Sequence, residues 1–199
     1  MKNYKKNLDL LEKNHVYSRE MEHDACGVGV IASTEGRKSR EIVEYGIEAL
    51  KAVWHRGAVD ADGKTGDGAG IHLEIPKDFF IEKIEVTGHD YDDAEICVGM
   101  IFLPRNDYAA QESCKTIVES ELTKNNFSIY GWRQVPVNSK VLGDKALQTM
   151  PEIIQVLFKS NDTNLLDKKL ERKIYETRKR IENKAFELSL NNFYVCSIS

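Results

Sequence analysis

Two kinds of hydrophobic spacing organise this chain after its first 25 residues. Between residues 39 and 54, apolar side chains recur at steps of three and four, which predicts an amphipathic helix with Ser39 as its N-cap. Short continuous apolar runs elsewhere are typical of strands. Together these patterns predict strands at 26–32, 71–75, 95–103, 127–137, 152–158 and 193–198, and helices at 39–54, 107–124 and 164–187.

The order of these elements predicts an α+β fold. Helices and strands are mixed, but strict strand–helix–strand alternation is absent, so we expect antiparallel sheets covered by helices. The last apolar run reaches Ser199 without a turn or a polar tail, whereas chain ends are usually polar and frayed. We therefore expect residue 199 to interrupt a domain.

Composition and charge narrow the class of protein. The chain has 199 residues, of which 41% are hydrophobic, and this fits one globular domain. Its net charge is −4 without a long block of one sign, which gives no indication of a nucleic-acid partner. No stretch approaches the roughly 18 apolar residues of a membrane span, and the first 14 residues lack the apolar core of a secretory signal. The expected location is the cytoplasm.

Three of the four cysteines have a simple structural interpretation. Cys97 and Cys196 lie in apolar runs, and Cys114 lies on the apolar face of a predicted helix. We predict that all three are buried and act as small hydrophobic residues. No C-x-x-C spacing indicates a zinc site. The basic stretch at 168–184 carries acidic residues at helical spacing, which favours a solvated helix face over a nucleic-acid patch.

The glycine-rich interval 57–70 allows two further interpretations. The tripeptide at 63–65 matches the end of a phosphate-binding loop, but Ala58 stands where the motif requires glycine. The second interpretation is a metal site. Against it, no pair of candidate ligands has the i, i+4 spacing of a helix. Lys64 and Thr65 also stand where a calcium-binding loop requires other residues. The candidate ligands are His23, His55, His72, Asp60, Asp62 and Asp67. The ordinary alternative is a solvated turn rich in Asp and Gly.

Three blocks between residues 22 and 71 point to a more specific chemistry. They read EHDACGVGVIA at 22–32, WHRGA at 54–58 and TGDGAGI at 65–71. In this order and separation they closely resemble the glutamine amidotransferase domain of glutamate synthase large subunits, a class II amidotransferase with an N-terminal nucleophile. Weaker likeness continues through the basic helix to residues 194–197, and so covers nearly everything after residue 16.

This resemblance implies a fold and a nucleophile. The implied fold is a four-layer αββα sandwich of the N-terminal-nucleophile (Ntn) hydrolase type, truncated at its C-terminal end. Residues 1–25 would be a leader that is removed, and 26–199 an incomplete amidotransferase domain. Cys26 would then be residue one, and its own α-amine, with a pKa of about 7.7–8.0, could accept the thiol proton. Thiolate is the reactive form of cysteine.

The resemblance also suggests supporting residues. Arg56 is expected to lie near the nucleophile and support the site, and the alternative is a salt-bridged arginine that closes a helix. Gly27 and Gly29 are expected where a side chain would crowd the substrate or a neighbouring strand. Asp67 is expected to shape its loop and to have no catalytic role.

The implied activity is release of ammonia from L-glutamine through a γ-glutamyl thioester on Cys26, with the ammonia passed to 2-oxoglutarate to make glutamate. The FMN and the iron–sulfur cluster of such synthases would belong to later domains, and none is assigned to this segment. The implied partners are L-glutamine, the remaining synthase domains and a small electron-donating subunit, with neither nucleic acid nor membrane.

Part of the family's site has no counterpart in this sequence. In the family, an Asn-Gly pair binds the oxyanion, and an arginine and an acid bind the glutamine. The chain contains no Asn-Gly pair and no arginine after Arg180. We expect the substrate-binding residues beyond residue 199, and the 199-residue chain alone to be inactive. A non-catalytic binding module, a truncated paralogue and an amidotransferase with another ammonia acceptor stay open as alternatives.

Overall fold

A computed structural model describes residues 2–14, 27–53, 59–66 and 68–199 of the chain. The described elements are α1 (Lys2–Asn14), α2 (Arg40–Ala52), α3 (Lys77–Val86), β1 (Cys97–Leu103), α4 (Tyr108–Lys124), β2 (Phe127–Gln134), a 3-10 turn (Ser139–Val141), α5 (Asp144–Thr149), β3 (Glu152–Ser160), α6 (Asp167–Glu187) and β4 (Tyr194–Ile198). They belong to two compact units. The first comprises Met1–Ala58 and Asp67–Ile71, and the second comprises Val59–Gly66 and His72–Ser199.

The second unit is built on a four-stranded sheet with the order β2-β3-β1-β4. All three strand pairs are antiparallel, which confirms the predicted pairing. Along β1 every second residue is buried, from Cys97 to Leu103. This alternation follows from the pleat, because successive side chains in a strand point to opposite faces.

Helices α4 and α6 cover one face of this sheet. Their buried apolar stripes, which include Ile117 and Leu122 on α4 and Ile174 on α6, join the larger hydrophobic core. Phe127 and Phe158 pack edge to face within it, with ring centroids 5.3 Å apart. The predicted helices at 107–124 and 164–187 are confirmed, and Asp107 caps α4 by accepting a hydrogen bond from the Ala110 amide.

Helix α3 packs on the opposite face and was not predicted. Its buried Phe80 and Ile84 form a smaller core with Leu157 and Tyr130 of the sheet. Only ten residues long, α3 has a weak apolar periodicity, so it gave no clear signal in the sequence. The short helix α5 and the N-terminal helix α1 were also missed, because α1 is mostly polar and relies on good helix formers such as Lys, Leu and Glu.

Two bulges interrupt the regular alternation of the sheet. The register shifts in β2 between Ile129 and Gly131, so Tyr130 is an extra residue on that strand. In β4 the register shifts so that Cys196 has no partner residue in β1. An extra residue re-aims its side chain, and Cys196 is exposed. The prediction that Cys196 is buried is therefore wrong.

The first unit contains α1, α2 and the segments around them. Ser39 caps α2 by accepting a hydrogen bond from the Ile42 amide, as predicted. The predicted strand at 26–32 is wrong over its described part, since residues 27–33 form no strand and Val28 and Val30 are 88% and 85% exposed. The predicted strand at 71–75 is also wrong. Apolar composition makes a strand only where another strand supplies hydrogen bonds, and the described residues offer neither segment such a partner.

Within the described ranges, no helix is long and apolar enough to cross a membrane.

Candidate active site

The described part of the candidate active site consists of residues that lie next to the predicted catalytic residues in sequence. Cys26, Arg56 and Asp67 lie outside the described residues, as do the leader residues 15–25 and the candidate ligands His23 and His55. The described parts of the three blocks are residues 27–32, 65–66 and 68–71.

Gly27, the residue after Cys26, lies against the end of α2. A Cβ atom built on Gly27 would be 3.6 Å from Cβ of Val53, which is ordinary van der Waals contact. Val53 is the C-cap of α2 and directly precedes the block at 54–58. The structure therefore brings the described end of the first block beside the residue that introduces the second.

The third block also contacts α2. A Cβ atom built on Gly46 would be 3.0 Å from Cδ1 of Ile71, so the helix surface is flat where the Ile71 side chain lies. Helix α2 is thus the common support: the first block packs at its C-terminal end, the second follows it in sequence, and the third packs on its middle.

The glycines of the first block are not crowded by described protein atoms. A Cβ atom on Gly27 would meet Val53 without overlap, and no described atom lies within 4 Å of the corresponding position on Gly29. The expectation that a neighbouring strand requires glycine at these two positions is wrong, because these residues are not in a sheet. The expectation that they leave room for substrate stays a prediction.

In the second unit, residues 59–66 form a closed loop, here called the docked loop. Val59 and Gly66 pair as an antiparallel bridge, and the Asp60 amide donates to the Thr65 carbonyl oxygen over 2.7 Å. Inside the loop, Oδ1 of Asp62 accepts from the amides of Lys64 (2.9 Å) and Thr65 (2.7 Å). Oδ2 of Asp62 accepts from the Thr65 hydroxyl over 2.6 Å.

The docked loop lies against the N-terminal end of α5. The Lys145 ammonium donates to Oδ2 of Asp60 over 2.5 Å, and the Ala146 amide donates to Oγ1 of Thr65 over 3.4 Å. A Cβ atom on Gly143 would overlap Oδ2 of Asp62 and Oγ1 of Thr65, and would be 2.7 Å from the Thr65 nitrogen. Only glycine leaves space for the loop at this position.

These hydrogen bonds account for both aspartates of the docked loop. The bond from the Thr65 hydroxyl and the bonds from the backbone amides lower the pKa of Asp62. The bond from Lys145 and that from the Ala61 amide lower the pKa of Asp60. Hydrogen bonds to the charged form favour it, so both carboxylates are held ionised by the protein itself.

This geometry argues against the phosphate-loop interpretation of the interval, whereas three of the six candidate metal ligands, His23, His55 and Asp67, lie outside the described residues. The amides of Lys64 and Thr65 point to Asp62 and not outward, so they cannot cradle a phosphate. Across the described ranges, no three His, Cys, Asp or Glu side chains lie together as metal ligands. The ordinary alternative, a turn rich in Asp and Gly, fits residues 59–66 best.

Comparison with known proteins shows which family the chain belongs to. Residues 26–199 match the family model of the class-II glutamine amidotransferases. The chain belongs to this family. The resemblance of the three blocks is thereby confirmed, and the first matched residue is the predicted nucleophile of this amidotransferase.

Several glutamate synthases are similar to this amidotransferase. It is 50% identical to the glutamate synthase (NADPH) large chain of Azospirillum brasilense over 196 residues, which cover 98% of this chain and 13% of that protein. It is 38% identical to the ferredoxin-dependent glutamate synthase of Pyropia yezoensis over 197 residues, which cover 96% of this chain and 12% of that protein. It is 36% identical to the glutamate synthase (NADH) of Saccharomyces cerevisiae over 199 residues, which cover 94% of this chain and 9% of that protein. The chain spans at most 13% of the length of these three relatives.

The described cysteines of the amidotransferase differ in accessibility. Cys97 and Cys114 are buried, as predicted. Burial, followed by the charge of Glu95, raises the pKa of Cys97 to about 12. Burial likewise raises the pKa of Cys114 to about 11. Both thiols are therefore protonated at neutral pH, which leaves them unsuited to nucleophilic chemistry.

The basic stretch of the amidotransferase lies on α6, and three of its basic residues form ion pairs along the helix. Arg172 pairs with Glu176, and Arg178 and Lys179 both pair with Glu182. Arg178 also donates to the Val195 carbonyl oxygen over 2.8 Å, which fastens α6 to β4. The prediction of a solvated, ion-paired helix face agrees with this arrangement.

Gly143 and Lys145, which hold the docked loop, were missed by sequence reasoning. They lie about 80 positions after the loop that they contact, as the pairs Asp60–Lys145 (85 positions) and Thr65–Ala146 (81 positions) show. A glycine before an acidic helix start is the only local signal at Gly143, and it indicates a helix boundary and not a contact with residues 59–66.

Proposed function

We propose that this chain is the glutaminase portion of a glutamate synthase and that Cys26 is its nucleophile. The observation that carries the proposal is the contact between Gly27 and Val53 in a member of the class-II glutamine amidotransferases. It joins the residue after Cys26 to the residue that precedes the block containing Arg56. Proximity of these sequence neighbours is what a shared site requires.

The proposed domain division follows from the same nucleophile. Residues 1–25 are assigned as a leader that is removed, and 26–199 as part of the amidotransferase domain. The family match supports this division, because it begins at residue 26 and leaves the preceding residues outside. Removal of the leader would place a free α-amine next to the Cys26 thiol.

The proposed reaction uses that amine as a base. The Cys26 thiol gives its proton to the α-amine, and the thiolate attacks the side-chain amide carbon of L-glutamine. When the C–N bond breaks, the α-ammonium returns the proton and ammonia leaves, which produces a γ-glutamyl thioester. Water then hydrolyses the thioester to glutamate and regenerates the thiol. The sum is L-glutamine plus water to L-glutamate plus ammonia.

Arg56 is proposed to support this site, and it follows Val53 by three residues. A guanidinium near the nucleophile would stabilise the thiolate, because a nearby positive charge lowers the pKa of a cysteine. The oxyanion donors and the residues that bind the glutamine are proposed to come from outside these 199 residues, since the chain has no Asn-Gly pair. We therefore expect this chain alone to be inactive.

The ammonia is proposed to be transferred to 2-oxoglutarate, as the glutamate synthase relatives suggest. FMN and an iron–sulfur cluster are assigned to other domains, and the supply of electrons is assigned to a small partner subunit. The described residues hold no group of three potential metal ligands, so they do not fit an iron–sulfur cluster. No step above passes through either group, and the cytoplasm stays the expected location.

The proposed fold is the four-layer αββα sandwich. The structure describes a helical layer, α4 and α6, on one face of the sheet, and α3 packs on part of the opposite face. Met100 and Phe102 alternate with the buried residues of β1 and lie only half-buried on that opposite face. A second sheet packed there beside α3 would complete the burial of these two side chains.

The proposed function is tested on the full-length protein. We expect its N-terminus to be Cys26 by intact mass and N-terminal sequencing, and we expect it to release ammonia from L-glutamine. Cys26→Ala should abolish this release. Cys196→Ala is the matched control, because Cys196 is exposed and free in the structure, and it should retain full activity. Undiminished ammonia release by Cys26→Ala would contradict the proposal.

A further inference from the structure

The docked loop lies in sequence between two blocks of the proposed site. The block at 54–58 precedes it, and the block at 65–71 begins inside it. The bridge between Val59 and Gly66 brings the two ends of the loop together. The segment that joins the two site blocks in sequence is therefore a closed loop, and the hydrogen bonds inside it set its shape.

The side chain of Thr65 forms hydrogen bonds both within the docked loop and with α5. The Thr65 hydroxyl donates its hydrogen to Asp62 over 2.6 Å and accepts from the Ala146 amide over 3.4 Å. The Thr65 amide donates to the same aspartate over 2.7 Å. Thr65 thus links the turn of the loop to α5 and, through Gly66, to the rest of the third site block.

The contact between the loop and α5 requires glycine at position 143. A methyl group there would overlap oxygen atoms of Asp62 and Thr65, and it would also press on the Thr65 backbone nitrogen. The overlap is with hydrogen-bonded groups and with backbone, so it cannot be relieved by a simple side-chain rotation. The ion pair between Lys145 and Asp60 lies beside this contact.

We propose that Thr65 and Gly143 are positioning residues for the glutaminase reaction: the contact between the docked loop and α5 fixes the shape of the segment that joins the site blocks at 54–58 and 65–71 in sequence. This inference rests on the proposed function. Neither residue touches glutamine. Both act through the blocks that flank the loop, and in particular through Arg56.

The expected effect falls on kcat. A catalytic group displaced by about 1 Å can lose up to about 100-fold in rate, so we expect Thr65→Val to lower kcat by about tenfold or more. Valine keeps the shape of threonine but has no hydroxyl. Gly143→Ala should give a similar loss without changing any loop residue. The KM for glutamine should change less, because the substrate-binding residues are expected outside this chain.

The experiment compares full-length enzymes after titration of their active sites. A diazoketone analogue of glutamine that alkylates Cys26 counts the competent sites, and ammonia release is divided by that count. A purely structural defect lowers the count but leaves kcat per site unchanged, whereas a positioning defect lowers kcat per site. Thr65→Ser, which restores the hydroxyl, should recover most of the rate. Lys64→Ala, at an exposed position of the same loop, is the control and should match the wild type.

Each outcome has one meaning. A lower kcat per site in Thr65→Val and Gly143→Ala, with recovery in Thr65→Ser, supports the inference. An unchanged kcat per site in both variants overturns it and leaves the proposed function standing. If the wild type shows no Cys26-dependent ammonia release and no labelling of Cys26, the proposed function fails and the inference falls with it, a result recognised before any loop variant is measured.

Discussion

The hydroxyl of Tyr130 donates a hydrogen bond to Oδ1 of Asp92 over 2.6 Å, across 38 positions of sequence. The other oxygen of Asp92 accepts from the Lys159 ammonium. Lys159 also lies 5.3 Å from the centre of the Tyr130 ring. These three residues fasten the segment after α3 to strands β2 and β3, so an exposed carboxylate links a loop to the sheet.

This arrangement predicts a pH dependence of stability. The Lys159 bond, followed by the Tyr130 bond, lowers the pKa of Asp92. A carboxyl whose folded pKa lies below its unfolded value of about 3.9 stabilises the fold above that value, and the contribution is lost as the pH falls through the lowered pKa. Asp92→Asn should therefore lower the urea midpoint near neutral pH and flatten its decline in acid.

The control for this prediction is Asp90→Asn. Asp90 is exposed and lies two residues away, so the substitution removes the same formal charge without breaking the bonds to Tyr130 and Lys159. Urea midpoints would be measured from about pH 7 down to about pH 2, the range in which carboxylates titrate. Identical pH profiles for the wild type and Asp92→Asn would show that Asp92 contributes nothing to acid stability.

Gly131 in β2 is a position of the sheet that leaves no room for a side chain. Its φ is 151°, and a Cβ atom there would be 2.8 Å from Cγ2 of Thr87. Thr87 cannot move freely, because its hydroxyl donates to the Tyr130 carbonyl oxygen over 2.8 Å. Gly131→Ala should therefore lower the free energy of unfolding by about 1–3 kcal/mol, the range for backbone strain at one residue.

Gly36→Ala is the matched comparison for Gly131→Ala. Gly36 also has a positive φ, 67°, but no described atom lies within 4 Å of its Cβ position. It should show only the conformational cost, about 1–2 kcal/mol, without the overlap. Urea denaturation of both variants measures the difference, and an equal or larger loss at Gly36 would contradict the role given to Thr87.

The sheet shows what hydrophobic spacing can and cannot predict. Strands β1 and β3 were predicted because their apolar runs are long and their partners are similar runs. The bulge at Tyr130 was not, since Ile129 and Trp132 both pack on the larger core although they lie three positions apart. Strict alternation would place them on opposite faces. Register shifts depend on the partner strand, which the sequence does not name.

The candidate site was predictable to a different extent. The three blocks led to the family because their residues are specific, independently of any secondary structure. The same blocks misled the strand prediction at 26–32, where apolar residues such as Val28 are exposed. The contact between the docked loop and Gly143 could not be predicted from the sequence, because Gly143 touches residues that lie about 80 positions earlier in the chain.

Cysteine accessibility gives a chemical prediction. Iodoacetamide at about pH 8 should modify Cys196 in the native protein, because its thiol is exposed and the reagent can reach it. Cys97 and Cys114, whose pKa values burial raises to about 12 and about 11, should react only after unfolding. Peptide mass spectrometry with and without urea measures this, and native modification of Cys97 would contradict its burial.

Two phenylalanines provide the clearest test of the core. Phe158 is fully buried on β3 and packs against Phe127, whereas Phe186 near the end of α6 is 87% exposed. Phe158→Ala should lower the free energy of unfolding by about 3–5 kcal/mol, since it removes buried apolar surface and leaves a cavity. Phe186→Ala removes the same atoms from a solvated position and should change stability by no more than about 0.5 kcal/mol. Urea denaturation of the two variants compares them directly. Equal losses would mean that the face of α6 carrying Phe186 is buried in the folded protein, and a small loss at Phe158 would contradict the placement of β3 at the centre of the core.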